Sequence, residues 1–384
     1  MTGQEEMGRR KAPIALLLLL SIVALLLSAC FGPKPAPDFR GIEGWINSEP
    51  LSLEELQGQV VLVDFWTYTC VNCIRTFPYL KEWHQKYSGY GLVIVGVHTP
   101  EFGFEELREN VEAAAESHGL EYPIAQDNDY RTWNAYSNNA WPAKYLIDRQ
   151  GNLRYHHFGE GSCAETEEVI RQLLSESGSG FPLQAVEANS SPEPEEDPYA
   201  FRAGRRLTRE LYAGYYRNES LPSSSAPTLF VPLPAYIMQE EYYRQQDAAV
   251  LYEDLGGHLN DFIYLQGLWE NGRESLTHAR VTAEYEDHIA IKYYANSVNA
   301  VMNGDPGSPE PVRIMLDGLS LDRESAGADV MFTPDGSSYV LVGQPRMYRL
   351  VEKVKFSGHE LRLSPKSADF PPVRLYLRSL LAGP

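Results

Sequence analysis

The sequence predicts two folded parts in series: an α/β domain with a central mixed sheet flanked by helices, and then an all-β sandwich. The chain has 384 residues, more than a single hydrophobic core usually fills. Two apolar runs without alternation, residues 59–66 and 92–97, enclose a helical stripe, which makes a strand–helix–strand unit. In the second half, short strand-like runs alternate with turn residues, as in an antiparallel sandwich.

The apolar stripe between the two runs predicts the first helix of this unit. Its apolar residues recur at steps of three and four, as expected for one face of a helix that begins near Cys70; they are Ile74, Phe77, Leu80, Trp83 and Tyr87. A pair of cysteines, Cys70 and Cys73, therefore lies where a buried strand turns into a helix.

The rest of the first domain follows from shorter signals. Residues 104–118 form an amphipathic stretch that stops at Gly119, the residue type expected just past a helix end. The runs 143–148 and 153–158 flank a hairpin turn. Ser162, with a glutamate three positions later, predicts a capping box that opens the last helix.

A change of composition separates the two parts. Residues 177–203 are rich in serine, proline and glutamate and predict a disordered linker before a sandwich domain over 204–384. Residues 208–218 are expected to open that domain as a helix. Its clearest expected strands lie at 279–285, 288–295, 312–316, 338–342 and 360–363.

The N-terminal residues have the pattern that is typical of an export signal. Basic residues precede the apolar run 12–29, which ends in a small-residue context at Cys30. This resembles the lipobox of bacterial lipoproteins and predicts a signal peptide over 1–30, a lipid on Cys30 and a proline-rich tether over 31–38. The alternative is an uncleaved signal-anchor helix. Both place the remainder outside the cytoplasm, and the first places it on the outer face of the bacterial cytoplasmic membrane.

The net charge and the number of cysteines argue against two classes of protein, nucleic-acid binders and disulfide-stapled scaffolds. The net charge of -19 disfavours nucleic acid as a partner, since phosphate backbones would be repelled. The chain has four cysteines, too few for a disulfide-stapled scaffold once Cys30 carries lipid.

The pair Cys70 and Cys73 then predicts redox chemistry. A sulfur at a helix N-terminus is stabilised as thiolate, so Cys70 is expected to attack and Cys73, one turn deeper, to resolve the mixed disulfide. A zinc site is the alternative, but zinc needs four ligands and the sequence has no second pair. No metal and no cofactor beyond the redox pair are expected.

These residues resemble the thioredoxin superfamily and, within it, the DipZ-like and TlpA-like branch of lipoprotein oxidoreductases. The resemblance covers about Pro37 to Ser175, and it predicts a thioredoxin-like domain over 39–176. It rests on Asp64, on the run from Trp66 to Cys73, on Pro78, on residues 97–102 and on Trp141–Pro142 with the strand after them. It implies a thioredoxin-like fold, a cis peptide at Pro142 beside Cys70, and a carbohydrate-binding-module-like sandwich at the C-terminus.

The resemblance also implies roles for particular residues. Asp64, buried in an apolar strand, should have a raised pKa and move a proton for Cys73. The expected substrate groove is formed by Trp141, Pro142, Tyr68 and Thr69. The strand order, independently of the resemblance, predicts that Cys163 starts the last helix on the same sheet edge, as a free and modestly reactive thiol too distant to bridge to Cys70. The alternative is a small helix-start residue without a role in the chemistry.

The predicted function is a membrane-tethered, extracytoplasmic thiol–disulfide oxidoreductase. Its expected partners are disulfide-containing exported proteins and a membrane electron donor or acceptor. One alternative is a thiol peroxidase, because Thr67 and Cys70 have the spacing of peroxiredoxins, with Arg75 or Arg131 as the required cation. The other is a glycan- or envelope-binding protein in which Trp269 and the tyrosines of the second domain stack on sugar.

Overall fold

The structure is a computed structural model that describes residues 34–176, 208–218, 235–366 and 374–376. The expected signal peptide with Cys30, the first residues of the tether and the linker 177–203 lie outside the described residues. Among the described residues, no helix is both long and apolar enough to cross a membrane.

The first domain is a seven-stranded mixed sheet in the order β1-β7-β6-β3-β4-β5-β2. The strands are β1 Lys34–Pro35, β2 Gly44–Ile46, β3 Val60–Trp66, β4 Leu92–His98, β5 Ile124–Gln126, β6 Ala143–Ile147 and β7 Asn152–Phe158. The helices are α1 Val71–Tyr87, α2 Arg108–His118, α3 Arg131–Ala135 and α4 Cys163–Ser175, with 3₁₀ turns at Ser88–Tyr90 and Gly103–Glu106.

Strand β3 lies at the centre of this sheet. Every one of its residues is buried, because it pairs in parallel with β4 on one side and antiparallel with β6 on the other. The apolar face of α1 covers it, with Phe77, Leu80 and Trp83 in the same cluster as Leu62 and Trp66 of β3. The chain leaves this rigid strand directly into the loop that carries Cys70.

Three local expectations need correction. The second half of the expected tether is not extended away from the domain, because Lys34–Pro35 pair with β7 and Ala36 donates to the carbonyl of Gly151. The stretch 104–118 is broken into a 3₁₀ turn and α2 at Leu107, whose backbone is extended. The capping box at Ser162 does not form, because Ser162 adopts a left-handed conformation and its side chain makes no cap hydrogen bond.

The second domain is built from antiparallel strands around one apolar core. In chain order the strands are β8 Ala249–Tyr252, β9 Phe262–Asn271, β10 Leu276–His278, β11 His288–Ala295, β12 Val298–Asn303, β13 Glu310–Leu316, β14 Leu319–Ser320, β15 Val330–Phe332, β16 Ser338–Val342, β17 Arg346–Val351, β18 Ser357–Pro365 and β19 Arg374–Tyr376. Strand β9 joins the two halves of the sandwich, since it pairs with β11 in one and with β8 and β10 in the other.

Two expectations for this domain are wrong. The stretch 279–285 is irregular, because Arg280 turns to bind the carboxylate of Asp287 and Tyr285 takes a positive φ. The stretch 208–218 is not a helix but an irregular segment with a 3₁₀ turn at Tyr215–Arg217. Hydrogen bonds within the segment stabilise this conformation, because the Asn218 amide donates to the carbonyls of Tyr212 and Gly214.

The second domain packs against the first at the cysteine end of α1. Tyr212 and Val301 of the second domain belong to the same apolar cluster as Cys70 and Cys73. Polar contacts join the domains as well: Gly103 donates its N–H to the carboxylate of Glu274 at 3.0 Å. The sandwich therefore covers the edge of the first domain where the cysteine loop lies.

Candidate active site

Cys70 lies between β3 and α1, at the N-cap of the helix. Its backbone is extended (φ -79°, ψ 109°), and its sulfur accepts the N–H of Cys73 at 3.3 Å. The sulfur thus takes the place that a serine or aspartate oxygen holds in an ordinary N-cap. Because unpaired N–H groups and the helix dipole both favour negative charge here, this position stabilises a thiolate.

Cys73 has a different environment one helical turn further on. Both cysteines are thiols without exposed surface. Burial raises the pKa of Cys73 well above its usual value, and the neighbouring Cys70 and Asp64 raise it further. The two thiols are therefore unequal: the sulfur of Cys70 is capped by an N–H donor, while Cys73 stays protonated until a base removes its proton.

Asp64 lies on β3 directly opposite Lys144 of β6. Both side chains are fully buried, and the ammonium lies 3.4 Å from the carboxylate. Burial raises the pKa of Asp64 to about 6, although the charge of Lys144 opposes the shift. A carboxyl group that titrates near neutral pH can both accept and return a proton.

The Trp141–Pro142 peptide is cis. Ala143, which follows it, pairs with Phe65 near the end of β3, so the proline lies at the sheet edge from which the cysteine loop emerges. Trp141 is held over this edge by a hydrogen bond from its indole N–H to the carbonyl of Thr99 at 3.1 Å.

Of the other two residues expected in the groove, Tyr68 lines a cleft beside α1. Thr69 does not face a groove. It is fully buried, and its hydroxyl donates to the carboxylate of Glu105 at 2.6 Å.

His98 lies behind the cysteine loop without exposed surface. Burial lowers its pKa to about 3, and its ring contacts those of Trp66 and Tyr68. A neutral imidazole packed between two aromatic rings supports the loop and does not exchange protons at neutral pH.

The sequence of the chain is similar to known protein families and to individual relatives. The model of the AhpC/TSA family matches residues 33–156, and that of the thioredoxin-like C-terminal domain matches residues 235–371. The protein DipZ of Mycobacterium bovis is 45% identical over 182 residues, which are 47% of this chain and 25% of DipZ. The thiol–disulfide oxidoreductase ResA of Geobacillus thermodenitrificans is 30% identical over 169 residues, 42% of this chain and 91% of ResA.

The chain belongs to the thioredoxin-like thiol–disulfide oxidoreductases. It spans only about a quarter of the length of DipZ. Among solved structures, a thiol–disulfide isomerase from Corynebacterium glutamicum is 26% identical, with a TM-score of 0.35 over 37% of this chain and 98% of the isomerase.

A cleft of about 1020 Å³ opens between the two domains of the oxidoreductase, beside the first turns of α1. The first domain contributes Tyr68, Val71, Ile74 and Arg75, and the second contributes among others Asn299, Arg346, Met347 and Arg349. Val71 is the residue between the two cysteines that directly follows Cys70. The cleft therefore reaches the redox pair from the side of the second domain.

Two residues of the site escaped the sequence reasoning. The sequence marks Lys144 only as part of the strand after Pro142, and its position opposite Asp64 follows once the pairing of β3 with β6 is fixed. Glu105 was hidden in an amphipathic stretch, where a glutamate is ordinarily solvent-exposed. Among the described residues, no group of three histidine, cysteine, aspartate or glutamate side chains is arranged to hold a metal ion.

Cys163 is the first residue of α4 and is a buried thiol. It lies in the same apolar cluster as Cys70 and Cys73, and its sulfur contacts the carbonyl of Gly161 at 3.7 Å. The three cysteines of the described chain thus lie at one end of one core.

Proposed function

We propose that this oxidoreductase exchanges disulfides of exported proteins, with Cys70 as the attacking thiolate and Cys73 as the resolving thiol. The observation that carries the proposal is the N-cap geometry, in which the sulfur of Cys70 accepts the N–H of Cys73. The raised pKa of Cys73 supports the division of roles, because a protonated thiol does not compete as nucleophile in the first step.

The reaction proceeds in two exchanges. The Cys70 thiolate attacks one sulfur of a substrate disulfide, forms a mixed disulfide and releases the other substrate sulfur as a thiolate. Cys73 then loses its proton and attacks the sulfur of Cys70, which releases the second substrate thiolate and leaves a Cys70–Cys73 disulfide. Two electrons pass to the substrate, and an external dithiol donor at the membrane restores the pair; no other cofactor is needed.

Asp64 is proposed as the base for the second exchange. Its carboxylate accepts the proton of Cys73 as that thiol attacks, and with a pKa of about 6 the carboxylate is mostly ionised at neutral pH and therefore able to accept a proton. Lys144 holds the charged form in the core, since a buried carboxylate without a cation would stay protonated.

We propose the interdomain cleft, together with Trp141 and Pro142, as the site where the substrate polypeptide lies. Val71 and Ile74 offer an apolar wall next to the redox pair, while Arg346 and Arg349 lie on the opposite wall. Both arginines are paired with carboxylates that line the same cleft, Arg346 with Asp329 and Arg349 with Glu352. The apolar wall beside the redox pair therefore sets the match, which is a polypeptide whose disulfide is flanked by apolar side chains.

The location is proposed from the sequence. The basic and apolar N-terminal segment ending at Cys30 supports export and a lipid on that cysteine, which would hold the domains at the outer face of the cytoplasmic membrane. A Cys30→Ser variant expressed in a bacterial host should leave the membrane fraction and lose metabolic labelling with palmitate. Unchanged membrane retention would refute the anchor without touching the redox proposal.

The redox proposal is tested by trapping. A Cys73→Ser variant should accumulate a mixed disulfide with its substrate on Cys70, because the second exchange is blocked. A Cys163→Ser variant is the matched control and should accumulate none. If the Cys73→Ser variant traps no protein, or traps it on Cys163, the assigned roles are wrong.

The thiol peroxidase remains a second candidate because the AhpC/TSA model matches the first domain. Arg75 and Arg131, the two arginines considered for such a site, pair with Glu160 and Asp129. Peroxide consumption by the reduced protein decides between the activities. For glycan binding, Trp269 offers no surface, since it is fully buried in the core of the sandwich.

A further inference from the structure

Glu105 is a buried carboxyl group one loop away from the redox pair. It lies in the 3₁₀ turn Gly103–Glu106 and has no exposed surface. Four donors surround it: one oxygen accepts the N–H and the hydroxyl of Thr69 at 3.3 and 2.6 Å, and the other accepts the N–H groups of Glu101 and Phe102 at 2.6 and 3.0 Å.

This arrangement fits the ionised form. A carboxylate accepts only, and here each of its oxygens is met by two donors, whereas a carboxylic acid would bring a further proton into the same space. Burial raises the pKa of Glu105, the charge of Glu101 raises it further, and the hydrogen bonds of Thr69 lower it. The ionised state therefore depends on the hydrogen bonds and on the charge of Glu101.

The four hydrogen bonds tie two loops together. Thr69 immediately precedes Cys70. The two hydrogen bonds from its N–H and hydroxyl to Glu105 therefore fix the backbone that places the Cys70 sulfur at the N–H of Cys73. Glu101 and Phe102 belong to the loop after β4. Glu105 thus holds the cysteine loop against the neighbouring loop of the sheet edge.

The second domain contacts these hydrogen-bonded loops through Glu101. The buried Glu101 carboxylate forms an ion pair with Arg217 at 3.0 Å. It also lies 3.1 Å from the hydroxyl of Tyr212, which makes its shorter hydrogen bond, 2.6 Å, to the carboxylate of Glu210. Arg217 also stacks on the ring of Tyr212, 4.2 Å from its centroid. Glu210 and Tyr130 are further titratable groups that face the cluster: Glu210 shares the Tyr212 hydroxyl with Glu101, and the charges of Glu101, Glu105 and Arg217 all act on the pKa of Tyr130.

We propose that Glu105 is a positioning residue for Cys70, and that the ion pair between Arg217 and Glu101 makes its action depend on the docked second domain. When Arg217 neutralises Glu101, Glu105 stays ionised and holds Thr69. When the second domain leaves, the unpaired charge of Glu101 favours protonation of Glu105, and the cysteine loop loosens. The proposal rests on the assignment of Cys70 as the nucleophile.

The first experiment titrates the Cys70 thiolate by its absorbance at 240 nm in a Cys163→Ala background. Glu105→Gln should raise the apparent pKa of Cys70 by about one unit, a tenfold loss of thiolate below that pKa, because the sulfur loses its fixed place at the helix N-terminus. Glu106→Gln is the matched control, since Glu106 is the exposed neighbour in the same turn, and it should leave the titration unchanged.

The same variants are then equilibrated with glutathione. Loss of thiolate stabilisation disfavours the reduced form, so Glu105→Gln should make the pair more reducing, by about 30 mV for a tenfold change in the equilibrium constant. A role confined to stability would lower the melting temperature and move neither readout. Should Glu105→Gln fail to fold, Thr69→Val removes only the hydroxyl donor and should shift both readouts in the same direction by a smaller amount.

The interdomain step is tested by a double-mutant cycle. Arg217→Gln should raise the pKa of Cys70 in the wild-type background and have no further effect in Glu101→Gln, which has no charge left to neutralise. Arg323→Gln, in the same domain but paired with the ring of Phe332, is the control for loss of one arginine. Equal effects of Arg217→Gln in both backgrounds would overturn the coupling, and an unchanged Cys70 in Glu105→Gln would overturn the positioning role. An inactive wild-type protein with a normal titration would refute the proposed function alone.

Discussion

The burial of Asp64, only partly offset by the charge of Lys144, makes the stability of the first domain depend on pH in a direction that can be measured. We consider the double substitution Asp64→Asn with Lys144→Met, which removes both buried charges and nearly preserves the side-chain volumes. Removing one partner alone would leave the other charge unpaired in the core and confuse the result.

The magnitude follows from the pKa of Asp64. Folding moves it from 3.8 to about 6, and each pH unit of difference corresponds to about 1.4 kcal/mol. Between these two values the folded protein holds a proton that the unfolded chain has released, so the free energy of unfolding falls as pH rises through the interval. This group therefore contributes its full stability below pH 3.8, and about 3 kcal/mol of that is lost above pH 6.

The assay is guanidinium unfolding of both proteins from pH 3.5 to pH 8. All other titrating groups are shared, so the difference in unfolding free energy between the wild type and the double variant isolates the pair. We expect that difference to change by about 3 kcal/mol in favour of the double variant as pH rises. A difference that stays constant to within about 1 kcal/mol would show that Asp64 ionises normally and would remove the basis for its role as a base.

Further outcomes follow from the same structure. Asp64→Asn should slow release of the mixed disulfide more than its formation, and in the wild type release should accelerate as pH rises through about 6, as stopped-flow fluorescence can measure; equal slowing of both steps would leave Asp64 a structural residue. Cys70→Ser should abolish insulin reduction with an unchanged circular dichroism spectrum, and any residual turnover would contradict the assigned nucleophile. Gly267→Ala should cost about 3 kcal/mol or more in thermal unfolding, because its φ is +97° and a Cβ would lie 1.9 Å from the carboxyl carbon of Asp287. Gly318→Ala, with φ +80° and open space around it, should cost only about 1 kcal/mol.

The parts of the site that a local pattern encodes could be predicted from the sequence. Strand β3 is a continuous apolar run and helix α1 carries one apolar stripe, and the spacing of Cys70 and Cys73 fixes both sulfurs on one helical turn. The hairpin from 143 to 158 was likewise set by its turn residues. Two of the strands expected in the sandwich, His288–Ala295 and Ser338–Val342, have the predicted bounds.

The parts that depend on long-range contacts could not be predicted. Glu105 is buried only because the cysteine loop and the loop after β4 meet, and no periodicity marks that meeting. The segment from Thr208 to Asn218 has a helical composition, but Thr208 donates its N–H to the carbonyl of Tyr294 and the turn at Gly214 packs on the backbone of Glu274. Tertiary contacts of this kind outweigh a weak helix propensity.

The burial of Cys70 has a kinetic consequence. A sulfur with no exposed surface reacts only in the fraction of time during which a local movement of its surroundings exposes it, so the observed rate constant is the product of an opening equilibrium constant and the intrinsic rate constant of exchange. When the substrate is dilute, the opening equilibrium lowers the reaction rate of every reagent by the same factor. When the substrate is concentrated, the turnover cannot exceed the rate constant of opening. Selection among disulfides therefore depends on the contacts that a polypeptide makes along the cleft, and not on the opening step.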